Sequence, residues 1–548
     1  LWQTFIVNLE FIYMAPNIKL HTVTFLPENK IIKVEDRKSI FETILEYNPH
    51  GIDLHFACGA EGICRKCKVR AFQQMGPVTP TERGCLTDEE FAKGIRLACQ
   101  ARVIQDTTVE ILYKMPFTIA LMDEPITQIV QAQAAQGSYA VAVDIGVNTL
   151  MLSLVDLGRG RKIAVVTDTN PQIELGANFE QRVAMVEESE INLEVLNEEL
   201  LLRIDILIEE LCRAAGVEPE QVCEIVVSGE TGMLHLMLKG VWNPLEQSLG
   251  PKDGMYRAEQ FDIKSSHRAR VYALPVISSY AGADMTAAIL ATRLHKSSAT
   301  TMLLDLGTNA RAVLYHQGVL AASAAADCNA FDCVGIACGM RPETGAIEHV
   351  AWDGSAFCIS VIGESLARGI CGSGLLELAA ALKQAGFIDD HGVFQRQQDL
   401  QHPAFGFIDV DGGAAFRLYT DDGIFHTDIF VTQDDIYMLR AAKARVAGLL
   451  QRLLDDAGIG LSDLERVLIS GSFGALSDPS VLFELGMLPR ILEARVGFVG
   501  NASKQGAQMV LLDKAILAEA EALVQHVVCL PASVDPVPND TLHFLPAL

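Results

Sequence analysis

SYAVAVDIGVNTLMLSLVDL, residues 138–157, is two apolar, strand-like runs broken once, at Asp144-Ile145-Gly146. The same form returns 161 residues later in ATTMLLDLGTNARAVLYHQG, residues 299–318, where Asp305, Gly307 and Asn309 take the places of Asp144, Gly146 and Asn148. A lone Asp-x-Gly hairpin is an ordinary turn. Two in register, each between apolar strands, read as an internal duplication. The segment after each hairpin repeats as well. Leu193, Leu196, Leu200, Ile204, Leu207 and Leu211 recur at helical spacing as far as Gly216, and the strand VCEIVVSG (222–229) comes next. In the second copy Thr432 caps a predicted helix with Ile436, Leu439, Val446 and Leu450 on its apolar face, and VLISGSFG (467–474) forms strand and turn. Strands alternating with helices predict α/β layers.

The chemistry of such turns is specific. Glycine lets backbone approach a phosphate closely, and neighbouring N–H groups and hydroxyls donate to it. An aspartate at the strand end holds Mg²⁺ through water. Two facing turns of this kind suit a triphosphate gripped from both sides. Glu230, just after the VVSG strand, is a candidate for positioning a hydrolytic water; the alternative is a surface carboxylate. In GICGSGLLEL (369–378) a glycine-rich turn opens a helix, and Gly372, Ser373 and Gly374 either line a nucleotide or serve helix–strand packing.

The N-terminal part has a different texture. Residues 18–36 predict a hairpin, with LHTVTFL and IIKVE as strands. Ser39 caps a short helix, and a strand near Asp53–Phe56 runs into CGAEGICRKC, residues 58–67. Cys58, Cys64 and Cys67 need a fourth ligand, and Cys99 in RLACQ is the best placed. One short CxxC among glycines fits an iron–sulfur cluster better than structural zinc, which usually takes two such pairs. Zinc and unliganded thiols remain the alternatives. Cys85 reads as a bystander. Cys328, Cys333 and Cys338 lack a fourth partner and read as buried small residues; His235 and His316 read as structural or exposed.

The boundaries expected are an extension over 1–13 ahead of Met14, a small domain over 14–112, a Gln- and Ala-rich linker over 113–137, and two larger halves over 138–299 and 300–548. The net charge of −26 argues against nucleic acid, and no uncharged apolar run is long enough to span a membrane. Thirteen cysteines without a secretory pattern fit a reducing cytoplasm.

On these residues the first 112 positions resemble a [2Fe–2S] ferredoxin domain of the adrenodoxin-spaced kind, with a β-grasp fold, which implies Cys58, Cys64, Cys67 and Cys99 as its ligands. The duplicated hairpins resemble the superfamily of acetate kinase, sugar kinases, actin and the heat-shock chaperone ATPases, two RNase H-like halves around ATP. The resemblance matches Asp144, Gly146 and Thr149 to the first phosphate motif. It matches Asp305, Gly307, Thr308 and Asn309 to the second, and Gly471, Ser472, Phe473 and Gly474 to the adenosine-contacting turn. The implied fold class is multidomain, α+β then α/β.

Both modules in this order resemble the reductive activators of corrinoid enzymes. Further matching stretches are NPQIELGANFEQR, SYAGADMTAAIL, CGMRPETGAI, GICGSGLLEL, VTQDDI and VGNASKQGA. The resemblance implies ATP-dependent return of Co(II) cobamide to Co(I) on a corrinoid protein of a methyltransferase or O-demethylase system. It also implies a low-potential electron donor, ATP with Mg²⁺, and a homodimer. The sequence departs from the family where Gly-Glu usually follows the second turn; Ala310 and Arg311 stand there. A stretch usually rich in Ala, Gly and Pro reads AAADCNAFDCVG. Rival readings are an ATP-dependent donor to another low-potential enzyme, a redox-sensing ATP-binding protein and a metabolite kinase.

Overall fold

The computed structural model describes residues 19–26, 30–41, 43, 67–112, 138–176, 179–239, 255–257, 268–307, 309–326, 328–395, 405–410, 412–421, 427–471 and 480–532. One compact unit lies within residues 1–114, and a second contains 115–548. The expected linker, the Asp53–Phe56 strand and most of the helix after Ser39 lie outside the described residues.

In the first unit the hairpin forms as the alternation predicts: β1 (Leu20–Leu26) pairs antiparallel with β2 (Lys30–Glu35). β3 (Lys68–Ala71), β4 (Ile95–Leu97) and β5 (Thr107–Ile111) complete a five-stranded sheet of order β2-β1-β5-β3-β4, with β1 and β5 parallel. Val23, Phe25, Val69, Leu97 and Val109 fill its core. Arg96 is buried there and bound to Glu82 at 2.7 Å. That pair fixes the segment leading to Cys99, because the Leu97 N–H also donates to Glu82 at 3.1 Å.

The second unit holds the duplication. β6 (Tyr139–Ile145), β7 (Thr149–Asp156) and β8 (Arg161–Thr169) form an antiparallel meander, and β9 (Val222–Gly229) lies parallel beside β6. With β10 (Met255–Arg257) and β11 (Arg270–Ala273) the order is β10-β11-β9-β6-β7-β8. The second sheet repeats it. β12 (Thr301–Leu306), β13 (Ala310–His316) and β14 (Val319–Ala325) form the meander. β21 (Arg466–Gly471) and β22 (Val496–Gly500) follow in parallel beside β12. β23 (Val527–Cys529) closes the far edge beside β14.

Between β14 and β21 the chain inserts two small sheets, β15 (Ala346–Trp352), β16 (Phe357–Val361) and β17 (Gly369–Ile370), then β18 (Gly406–Val410), β19 (Gly413–Asp421) and β20 (Thr427–Thr432). They pack through Trp352, Phe357, Phe387, Phe405 and Phe416, in mostly edge-on contacts.

The predicted helices of the second unit form. Helix α1 (Glu190–Ala215) buries its leucine stripe against the first sheet and stops at Gly216, whose φ of 66° is the left-handed cap glycine favours. Thr432 caps the long helix Gln433–Ala457 with a reciprocal bond to Asp435. Two further helices sit where the halves meet: α2 (Ala283–Ala291) after β11, and α3 (Ala502–Leu512) after β22. They cross at Gly506, where a Cβ would lie 2.0 Å from the Ala287 carbonyl oxygen. Helix α3, though far along the sequence, joins the core of the first sheet through Ala507, Val510 and Leu511. Among the described residues no helix is long and apolar enough to cross a membrane.

Candidate functional site

Asp144 and Asp305 stand near the ends of β6 and β12, each just ahead of its turn. In the first turn the Gly146 N–H donates to the Thr149 carbonyl at 2.9 Å, which closes the hairpin. Buried Arg182 donates to the Val147 carbonyl at 2.8 Å, and Asn170 donates to that of Gly146 at 2.9 Å. Asn170 and Arg182, from the two ends of the NPQIELGANFEQR stretch, therefore brace the turn from behind. Asn148 reaches across to the second half, its Nδ2 donating to Asp332 at 3.3 Å. Thr149 is exposed at the start of β7. Gly307 and Asn309 flank the second turn, and Thr308 lies outside the described residues.

The two aspartates are met differently, Asp144 from the opposite half and Asp305 from its own. Asp144 accepts hydrogen bonds from Ser503 at 2.6 Å and Asn501 at 2.8 Å, both at the start of α3, and from Ser228 of β9 at 3.4 Å. Burial pushes the Asp144 carboxyl above its ordinary range, and the donors from Ser503 and Asn501 and the charge of Lys504 partly offset that. Asp305 instead faces Arg311 on the neighbouring strand, at 3.4 Å. The Arg311 guanidinium also meets Glu230 at 2.5 Å and Asp284 of α2 at 3.2 Å, and its Nε donates to the Tyr280 carbonyl at 3.1 Å. Its side chain is 7% exposed. Burial alone would lower the guanidinium pKa, but Glu230, Asp284 and Asp305 outweigh it and hold the group charged. Burial raises Asp305, against the pull of Arg311. It pushes Asp284 up to about 7, with Glu230 and Asp305 adding to it and Arg311 opposing.

Glu230 is thus no surface carboxylate: it follows the end of β9 and is ion-paired inside the site. Gly471 has a φ of 89°, and a Cβ there would come within 2.8 Å of the Asp305 carboxylate. Glycine at this point lets β21 pass close to the second turn. Ser472, Phe473 and Gly474 lie outside the described residues. The glycine-rich helix start is packing: Cβ atoms at Gly372 and Gly374 would fall 1.8 Å from the Phe331 oxygen and 2.2 Å from the Ile347 oxygen, and Ser373 donates to the Glu348 carbonyl at 2.9 Å.

Mg²⁺ takes oxygen ligands, usually one or two carboxylates plus substrate phosphates. At the first turn Asp144 already accepts three side-chain donors. At the second, the space among Asp305, Asp284 and Glu230 holds a guanidinium. An ion entering on the phosphates of ATP must share these carboxylates or displace Arg311, so the second turn does not fit a divalent ion as it stands.

In the first unit Cys67 and Cys99 are buried with their sulfurs 3.4 Å apart. That is far beyond a disulfide of about 2.05 Å. It approaches the roughly 3.8 Å that separates two thiolates on one tetrahedral metal, so this half of the predicted ligand set fits. Cys58 and Cys64 lie outside the described residues, as does the Cys85 side chain. Cys328 and Cys333 are buried core residues. His316 bonds the Thr300 hydroxyl at 3.0 Å, and His235 is buried.

Sequence reasoning missed Ser228, Asp284, Asn501 and Ser503 as site residues. The signal was present in the repeat: VVSGE (226–230) mirrors LISGS (468–472), and each half follows its last long strand with a turn opening a helix, AGAD (281–284) and GNAS (500–503).

Comparison with known proteins bears on the same segments. A family model described as the C-terminal domain of RACo, the ASKHA domain, matches residues 299–541, and one described as the RACo middle region matches 139–297. A 2Fe–2S iron–sulfur cluster binding domain matches 23–103. The corrinoid activation enzyme RamQ of Eubacterium limosum is 29% identical over 387 residues, covering 69% of this chain and 64% of that protein. The chain thus spans less than two thirds of RamQ's length. A component of the Na⁺-translocating NADH-quinone reductase of Psychrobacter cryohalolentis is 38% identical over 85 residues, 16% of this chain and 20% of that one. A solved structure of a reductive activator for a corrinoid, iron–sulfur protein superposes with a TM-score of 0.67 at 28% identity, covering 95% of this chain and 97% of that one.

Proposed function

The chain belongs to the RACo family, the reductive activators of corrinoid proteins, and from that premise we propose that it returns a Co(II) cobamide on a partner protein to Co(I) by ATP-dependent one-electron transfer. The observation that carries the reading is the pairing of two chemistries in one chain. Two buried thiols stand 3.4 Å apart in a ferredoxin-like sheet, and two Asp turns meet across duplicated halves. Either module alone has simpler uses.

A [2Fe–2S] cluster held by Cys58, Cys64, Cys67 and Cys99 supplies a low-potential one-electron carrier when bound. In the first turn the backbone N–H groups of Val147 and Asn148, and beside the second those of Gly307 and Asn309, are the ones offered to the phosphates of ATP. Asp144 and Asp305 stand just ahead of those turns. Delivering one electron against 100 mV costs about 2.3 kcal/mol. Nucleotide supplies such an amount if it binds one arrangement of the halves better than the other. The bonds that such a change would remake are those crossing between halves: Ser503 and Asn501 to Asp144, and Arg311 to Glu230 and Asp284.

The finer assignment follows the same logic. The partner is a corrinoid protein of a methyltransferase or O-demethylase system, and the electron comes from a separate low-potential donor. The protein works as a homodimer in the reducing cytoplasm. A second reading, in which bound ATP sets conformation without turnover, is favoured by one contact: the Glu230 carboxylate is occupied by Arg311 rather than open to water. Phosphate release, measured with and without a Co(II) corrinoid protein, separates the two. Release that rises several-fold with the partner supports the activator; release unchanged by the partner overturns it in favour of the sensor.

A further inference from the structure

The second turn carries a charge arrangement that the first does not. Four carboxylates, Asp144, Glu230, Asp284 and Asp305, occupy the space where a polyanionic nucleotide is expected. Four carboxyl groups around a polyanion are unfavourable without a cation. The usual remedy is a divalent ion. Here the remedy is covalently part of the chain. Arg311 rises from β13, next to Asp305 on β12, and touches three of the four carboxylates at 2.5, 3.2 and 3.4 Å. Its Nε is fixed by the Tyr280 carbonyl at 3.1 Å, so the planar head is anchored in place. Three of those partners, Tyr280, Glu230 and Asp284, belong to the first half of the duplication, and Asp305 to the second.

We propose that Arg311 is the resident cation of the nucleotide site, supplying at the second turn the positive charge a divalent ion otherwise provides, so that this chain holds nucleotide with little dependence on Mg²⁺. The inference rests on the reading of this cleft as an ATP site. A guanidinium suits the role because it stays charged at any working pH and presents several fixed donors, some to carboxylates and others to phosphate oxygens. The same residue joins the halves, since its partners come from both.

The test is equilibrium binding of ADP carrying a fluorescent ribose label to the full chain, in excess Mg²⁺ and in excess EDTA. ADP avoids turnover during the titration. For the wild type, EDTA is expected to weaken binding by less than about tenfold, which is about 1.4 kcal/mol. For Arg311→Gln the same change of buffer is expected to weaken it at least about tenfold more than for the wild type. Arg311→Lys, which keeps the charge but not the fork, is expected to stay near the wild-type ratio. Loss of wild-type binding in EDTA overturns the proposal, and so does an Arg311→Gln variant with the wild-type ratio. If Arg311→Gln does not fold, the wild-type and Arg311→Lys ratios still decide. Absence of binding in both buffers overturns the nucleotide reading itself, and this inference with it.

Discussion

Asp144 and Asp305 hold the same place in two copies of one hairpin, yet their charges are met differently. Asp144 is met by neutral donors, the Ser503 and Ser228 hydroxyls and the Asn501 amide. Asp305 is met by a guanidinium that it shares with Asp284 and Glu230. Backbone symmetry therefore does not carry over into electrostatic symmetry. The duplication fixes where the carboxylates stand, and a few side chains decide whether each is solvated by dipoles or by an ion. Dipoles can rearrange at modest cost. A buried ion shared by three carboxyl groups cannot leave without stranding all three. The second turn is thus the stiffer side, and the first is the side where nucleotide can more cheaply remake contacts.

The largest effect is expected from breaking the ionic side. Arg311→Met leaves Glu230, Asp284 and Asp305 without their partner, and urea unfolding should show a loss of about 3–5 kcal/mol, the cost of stranding buried charge. The joint between the halves comes next. Gly506→Ala drives a methyl into the Ala287 carbonyl and should cost about 1–3 kcal/mol, with nucleotide affinity falling as α2 and α3 are forced apart. Asp284 gives the comparison a pH signature. It keeps its proton to about 7 in the fold, against 3.8 unfolded. The folded chain therefore binds more protons in that window, and stability falls as pH rises from about 4 to 7. Asp284→Asn should remove that part of the decline, which urea titrations at several pH values across the range read directly. The smallest effect belongs to the dipolar side: Ser503→Ala removes one of three donors to Asp144 and should cost about 1.5 kcal/mol in the same assay.

The duplication was legible in the sequence because a strand pair, a turn and a capped helix each leave a local pattern. Asp144, Asp305, Gly216 and Thr432 could be placed from spacing alone. The cross-half contacts were not legible, because Asn501 and Ser503 stand more than 350 residues from Asp144, and no periodicity connects them. Arg311 was visible as an oddity, but one charge in an apolar strand says nothing of direction. Only the fold shows it turned inward against Glu230. The GICGSG stretch was legible only as an alternative: glycines that suit phosphate also suit close backbone packing, and the carbonyls of Phe331 and Ile347 stand where a Cβ would be.

The most direct test of ATP-driven electron delivery is anaerobic. The reduced protein with intact cluster is mixed with a Co(II)-loaded corrinoid methyltransferase protein, and the Co(I) absorbance band is followed with and without ATP. The band is expected to grow only with ATP and to be lost in Cys99→Ser. Growth of the band at the same rate without ATP, or none with ATP across several corrinoid partners, would contradict ATP-dependent activation.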